Sequence, residues 1–157
     1  MASTTFSGPV TSTNGFIGNL TGNVIGNVTG NTAGSGSITH ATTSAINATA
    51  TATAAEVATG YITSTSASPT TITLPTGTLL GAALGAARGT VFDLYIDNTA
   101  GASTVTVAVA TNGILSTAAT DTAGSFGDLT IASGATGVGR FTIMFSSATA
   151  YVFTRTA

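Results

Sequence analysis

The sequence predicts a mainly β protein: a C-terminal compact β-sandwich or jelly-roll-like domain with one short helix, preceded by an extended Gly/Asn/Thr-rich N-terminal arm. Three observations carry that expectation. From residue 61 onward, short runs of alternating apolar residues recur between turn-rich breaks. Residues 1–50 hold no Asp, Glu, Lys or Arg and few large apolar residues. Only eight of 157 residues are formally charged, yet 43% are apolar. The organisation that follows is an arm over 1–50, a connector over 51–60 and a β domain over 61–157.

The arm cannot build a private core, because it buries too little apolar area to offset chain entropy. Its stretch "GNLTGNVIGNVTGN", residues 18–31, places a Gly-Asn pair every four residues. In an extended chain that spacing is even, so Gly18, Gly22, Gly26 and Gly30 share a side with Leu20, Val24 and Val28. Asn19, Asn23, Asn27 and Asn31 then share the other side with Thr21, Ile25 and Thr29. Recurring Gly-Asn also suits a turn in every repeat, since both residues tolerate positive φ. Either way the small apolar stripe needs neighbours, and three chains side by side supply them. A low-complexity flexible linker is the plainer reading, but a linker has no reason to keep Leu, Val and Val in register.

In the connector, Thr53 and Glu56 fit a capping box and Gly60 closes a single helical turn over 53–59. "TTITLP" over 70–75 alternates with Ile72 and Leu74 inward and stops at Pro75. Thr76 or Thr78 then caps a short helix that ends near Gly89. "TVFDLYIDN" over 90–98 sets Phe92, Leu94 and Ile96 opposite Val91, Asp93, Tyr95 and Asp97. "STVTVAVA" over 103–110 groups Val105, Val107 and Val109, and the intervening "NTAGA" predicts a hairpin. A short strand follows over 128–133. "GRFTIMFSS" points Phe141, Ile143 and Phe145 to the core, "TAYVFTR" does the same with Tyr151 and Phe153, and "SSAT" joins them as a second hairpin.

Charge and motifs narrow the function. The charged residues are Arg88, Arg140, Arg155, Glu56, Asp93, Asp97, Asp121 and Asp128, with net charge −2. A free-standing domain covers about a quarter of its residues with charge. So sparse a set implies that much of the monomer's outside is buried against copies of itself or another protein, as an obligate assembly. Scattered arginines make no phosphate-neutralising patch, so nucleic acid is not an expected partner. The longest weakly polar run, "LLGAALGAA" over 79–87, falls short of the ~20 residues a bilayer span needs, and "MASTTFSGPV" carries no signal-peptide pattern. The expectation is a soluble protein that is not exported, with no membrane partner.

No enzyme and no cofactor are expected. Asp93 and Asp97 lie four apart on a strand, about 13 Å, beyond the spacing of paired glycosidase carboxylates. Ion pairs with Arg140 or Arg155 explain them better. His40, the only histidine, has no second ligand nearby in sequence, so a metal site is not expected. Ser and Thr are abundant without a G-x-S-x-G elbow, an S-x-x-K or a phosphate loop. The N-x-T matches at Asn19, Asn27 and Asn47 arise readily in so Asn- and Thr-rich a chain.

Two longer stretches bear a likeness. "FSGPVTSTNGFIGNLTGNVIGNVTGN" resembles N-terminal segments of tailed-bacteriophage virion proteins. "TITLPTGTLLGAALGAARGTVFDLYIDNTAGASTVTV" is similar to a β module of phage head and fibre proteins, although Arg88-Gly89 stands where an acid usually follows the helix. The resemblance implies a virion structural protein: a capsid decoration (cement) protein on the capsid exterior, a homotrimer whose N-terminal arms bind the major capsid protein. Phe6, Pro9, Val10, Phe16 and Ile17, the bulky or rigid residues before the repeat, are then the capsid anchors. The alternative is a short fibre or receptor-binding tip with a trimeric stalk, whose mark is exposed aromatics and acids converging on one loop surface.

Overall fold

The computed structural model describes residues 42–115 and 129–156. The Gly-Asn repeat, the anchor residues Phe6 to Ile17, and His40 lie outside the described residues. The described residues form ten strands and two helices: β1 (Ser44–Ala45), β2 (Ala50–Thr51), α1 (Ala54–Ala58), β3 (Tyr61–Thr63), β4 (Thr70–Thr73), α2 (Gly77–Leu84), β5 (Val91–Asp97), β6 (Val105–Ala108), β7 (Gly113–Leu115), β8 (Thr130–Ile131), β9 (Val138–Ser147) and β10 (Ala150–Arg155). The mainly β expectation holds, with a second helix added: the Thr53 turn and the Thr76 helix both form. Strands begin at Ser44, inside the stretch the composition assigns to the arm.

Two sheets carry these strands. The larger has the order β1-β3-β5-β9-β10-β7 and the smaller β2-β4-β6-β8. From β1 to β9 the chain therefore alternates between the sheets, one strand to each in turn. That alternation makes neighbours parallel: β1, β3 and β5 in the larger sheet, and β2, β4 and β6 in the smaller. The two-sheet layout agrees with the expected β-sandwich, while the parallel pairing sets it apart from a jelly roll, whose sheets are antiparallel. Inward side chains of both sheets, among them Ile62, Leu94, Ile96 and Phe141 from one and Ile72, Val105, Val107 and Ile131 from the other, make a single buried core.

The predicted hairpin between residues 90–98 and 103–110 does not form, because its two strands belong to different sheets. Asn98 explains the crossing. Its side-chain amide donates to the Ser103 carbonyl at 2.8 Å and to Ala132 at 2.9 Å, with Ile131 at 3.4 Å. Its own N–H donates to Gly137 at 2.6 Å. One fully buried side chain thus ties the end of β5 to the turn before β6 and to β8 in the other sheet.

The second hairpin is present: β9 and β10 pair antiparallel, Val152 opposite Met144 and Thr154 opposite Thr142. Phe141, Ile143, Phe145, Tyr151 and Phe153 are all buried, as their alternation requires. Phe141 and Phe153 stack at 5.0 Å, an aromatic pair bridging the two strands. The buried Tyr151 hydroxyl donates to the Pro75 carbonyl at 3.0 Å, and burial pushes its pKa up to about 12.

Both helices start as their caps dictate. The Glu56 N–H donates to Thr53 Oγ1 at 3.2 Å and the Thr53 N–H to Glu56 Oε2 at 2.7 Å, a reciprocal capping box. Thr76 Oγ1 accepts from Leu79 N at 3.3 Å. Gly85, at φ 58°, ends α2 short of the expected Gly89, with the Ala86 N–H returning to the Gly81 carbonyl at 2.8 Å. Leu80 seals the core, while Gly77 and Gly81 bring the helix backbone against Thr149 and Ala148 of the β9–β10 turn.

Candidate interaction surfaces

Because strand residues alternate sides, register alone lays out the solvent face of the larger sheet. Reading across β3, β5, β9, β10 and β7 gives four rows. The first is Thr63–Asp97–Val138, the second Tyr61–Tyr95–Arg140, and the third Asp93–Thr142–Thr154. The fourth, Val91–Met144–Val152–Ile114, is wholly apolar.

Polar groups in the first three rows satisfy one another. Arg140 Nη2 forms an ion pair with Asp93 Oδ2, and Thr142 Oγ1 donates to Asp93 Oδ1 at 2.8 Å. Burial alone raises the Asp93 pKa. The hydrogen bonds from Arg140 and Thr142, with the guanidinium's charge, outweigh it and hold the carboxyl below its ordinary value. Asp97 is lowered first by the Thr99 hydroxyl and N–H, at 2.6 and 2.9 Å; burial opposes them, and the Tyr61 hydroxyl at 2.8 Å lowers it further. The bond to Asp97 in turn raises the Tyr61 pKa. The expected ion pair for Asp93 is therefore present. Arg155, by contrast, turns to backbone, donating to the Thr130 carbonyl at 3.0 Å and bridging β10 to β8.

Tyr61, Tyr95, Asp93, Asp97 and Arg140 thus converge on a sheet face rather than a loop surface, while Tyr151 lies in the core. The Tyr61 and Tyr95 rings stack at 6.5 Å with 23° between planes, and the Arg140 guanidinium sits 5.8 Å from the Tyr95 centroid. Tyr61 on β3 and Arg140 on β9 flank Tyr95 on β5, so the ring's two faces are already occupied. A sugar stacking on Tyr95 must displace one of them.

The outer face of the smaller sheet is different again. Its outward positions are Thr51, Thr71, Thr73, Thr106, Ala108 and Thr130, by the same register argument. No charge stands among them. Hydroxyls and methyls at strand spacing make a flat, neutral surface.

The candidate contact residues Phe6, Pro9, Val10, Phe16 and Ile17, and the packing set Gly18 to Gly30, fall outside the described residues. Sequence reasoning did not find the apolar row. Val91, Met144, Val152 and Ile114 each look like ordinary outward residues on separate strands, and only pairing aligns them. Among the described residues, no group of His, Cys, Asp or Glu has the arrangement to hold a metal ion, and no helix is long and apolar enough to cross a membrane.

What the fold and its surfaces define is a mainly β, two-sheet domain whose outer sheet faces carry few charges. Comparison with protein-family models, with curated proteins and with solved structures gave no match to this chain.

Proposed function

We propose that the protein is a phage capsid decoration (cement) protein: a homotrimer that binds the outer capsid surface through its N-terminal arms and stabilises the head. In this reading the two-sheet sandwich is the knob and Phe6, Pro9, Val10, Phe16 and Ile17 are the anchors. A partner that binds only the assembled shell shifts its stability by mass action, in proportion to the area buried across subunit boundaries.

The observation that carries the reading is how few charges the outer faces of the two sheets carry. One outer sheet face is threonine and alanine, and the other pairs Asp93 with Arg140 and holds its remaining acid, Asp97, by the Tyr61 and Thr99 hydroxyls. Such faces suit burial against protein, where an unpaired charge is costly. The phage-like strings in the arm supply the kind of partner. A receptor-binding tip is the second reading, supported by the convergence of Tyr61, Tyr95 and two acids, and weakened by the occupied faces of Tyr95.

Removal of residues 1–17 tests the assignment. Capsid binding in a cosedimentation assay is expected to be lost while the trimer persists in solution. Undiminished binding by the truncated chain rules the anchor role out.

A further inference from the structure

We propose that the row Val91–Met144–Val152–Ile114 is the seam between copies, lying along the three-fold axis of the homotrimer. Among the described residues the exposed large hydrophobics are Leu79, Val91, Ile114, Val138 and Met144. Three of the five fall in this one row, at 59%, 57% and 49% exposure for Val91, Ile114 and Met144, with Val152 half-buried between the last two. Four strands at about 4.8 Å spacing make the row about 14 Å long. It is not misplaced core, because the inward neighbours on the same strands, Leu94, Ile143 and Phe153, are fully buried.

In the proposed homotrimer the occupants are the second and third copies, and charge selects which row can lie on their axis. On a three-fold axis every residue meets its own kind. The row with Asp97 sets three carboxylates together, the row with Arg140 three guanidinium groups, and the row with Asp93 three carboxylates again. Each arrangement desolvates like charges. The fourth row alone stacks four apolar layers: valine, methionine, valine and isoleucine. Asp93 and Arg140, paired with each other one and two rows away, remain at the rim without needing a partner from the next copy. An apolar centre with a satisfied polar margin is the usual anatomy of a stable subunit contact.

The seam rests on the homotrimer part of the proposed function, and the oligomeric state is read without capsid, so the two fail separately. The chain contains no cysteine, so Met144→Cys introduces a unique thiol. A short bismaleimide is expected to link copies of this variant, whereas Thr73→Cys, on the outer face of the smaller sheet, gives no linked species. Met144→Glu, an exposed substitution that leaves the circular dichroism spectrum unchanged, is expected to reduce the native mass threefold, from trimer to monomer. A Met144→Glu trimer, or equal cross-linking of both cysteine variants, overturns the seam while leaving the homotrimer standing. A wild-type monomer overturns both. A Met144→Glu chain that stays trimeric but loses the capsid assigns the row to the capsid and likewise overturns the proposal.

Discussion

Replacing Asn98 by Asp changes one atom's chemistry and almost nothing of its shape, which makes it a direct probe of how the two sheets are held together. The native amide offers two hydrogens to carbonyls at 2.8 and 2.9 Å, with a third at 3.4 Å. A carboxylate there faces the same three oxygens with no hydrogen to give. Two hydrogen bonds are lost, at about 1 kcal/mol each, and a buried charge is left without compensation, which costs about 3–5 kcal/mol when it cannot relax. The group escapes part of that cost by taking up a proton, so a loss of about 3 kcal/mol at pH 7 is expected. The sign of the pH dependence follows. Burial among carbonyls raises the folded pKa of the new acid above its unfolded value of about 3.9, so the destabilisation grows as pH rises above that value. Urea unfolding at fixed protein concentration should show the midpoint of Asn98→Asp lowered by roughly 1–3 M at pH 7, for slopes of about 1–3 kcal/mol/M, and by distinctly less at pH 4.5. A midpoint within experimental error of wild type at pH 7 refutes the assignment of Asn98 as the tie between sheets.

Two further outcomes follow from other parts of the fold. Gly81→Ala ordinarily strengthens a helix by about 1 kcal/mol, but here the added methyl overlaps the Ala148 carbonyl oxygen, and overpacking costs about 1–3 kcal/mol. The thermal midpoint should fall, and a rise contradicts the close helix–turn contact. Asp93 and Asp97 both have folded pKa values below their unfolded ones, so they stabilise the fold above about pH 4 and that contribution is lost as pH falls through the folded values. Stability measured from pH 7 down to pH 3 should decline, and Asp93→Asn should make the decline shallower; an unchanged acid limb in that variant counts against the Asp93–Arg140–Thr142 cluster.

Local signals in the sequence were readable where the physics is local. The capping box of Thr53 and Glu56, the cap at Thr76, and the β9–β10 hairpin each depend on residues a few positions apart, and each is present. The Asp93–Arg140 pair was also anticipated, since opposite charges on outward strand faces have few alternatives in so uncharged a chain. The parallel pairing was not. Ser44 lies beside Ile62 and Thr70 beside Val105, and nothing in a two-residue strand announces so distant a neighbour. The turn after β5 misled for a related reason: "NTAGA" has the composition of a hairpin loop, and only the buried Asn98 amide distinguishes a corner that changes sheets. The apolar row was invisible because its members come from four strands and acquire a common line only through register.

Electron microscopy of the intact virion is the most direct test of the proposed role on the outside of a phage head. The reading predicts three-lobed density on the outer surface of the head, with residues 6–17 of each chain laid against the major capsid protein. Density for this chain at the tail tip, with none on the head, contradicts it.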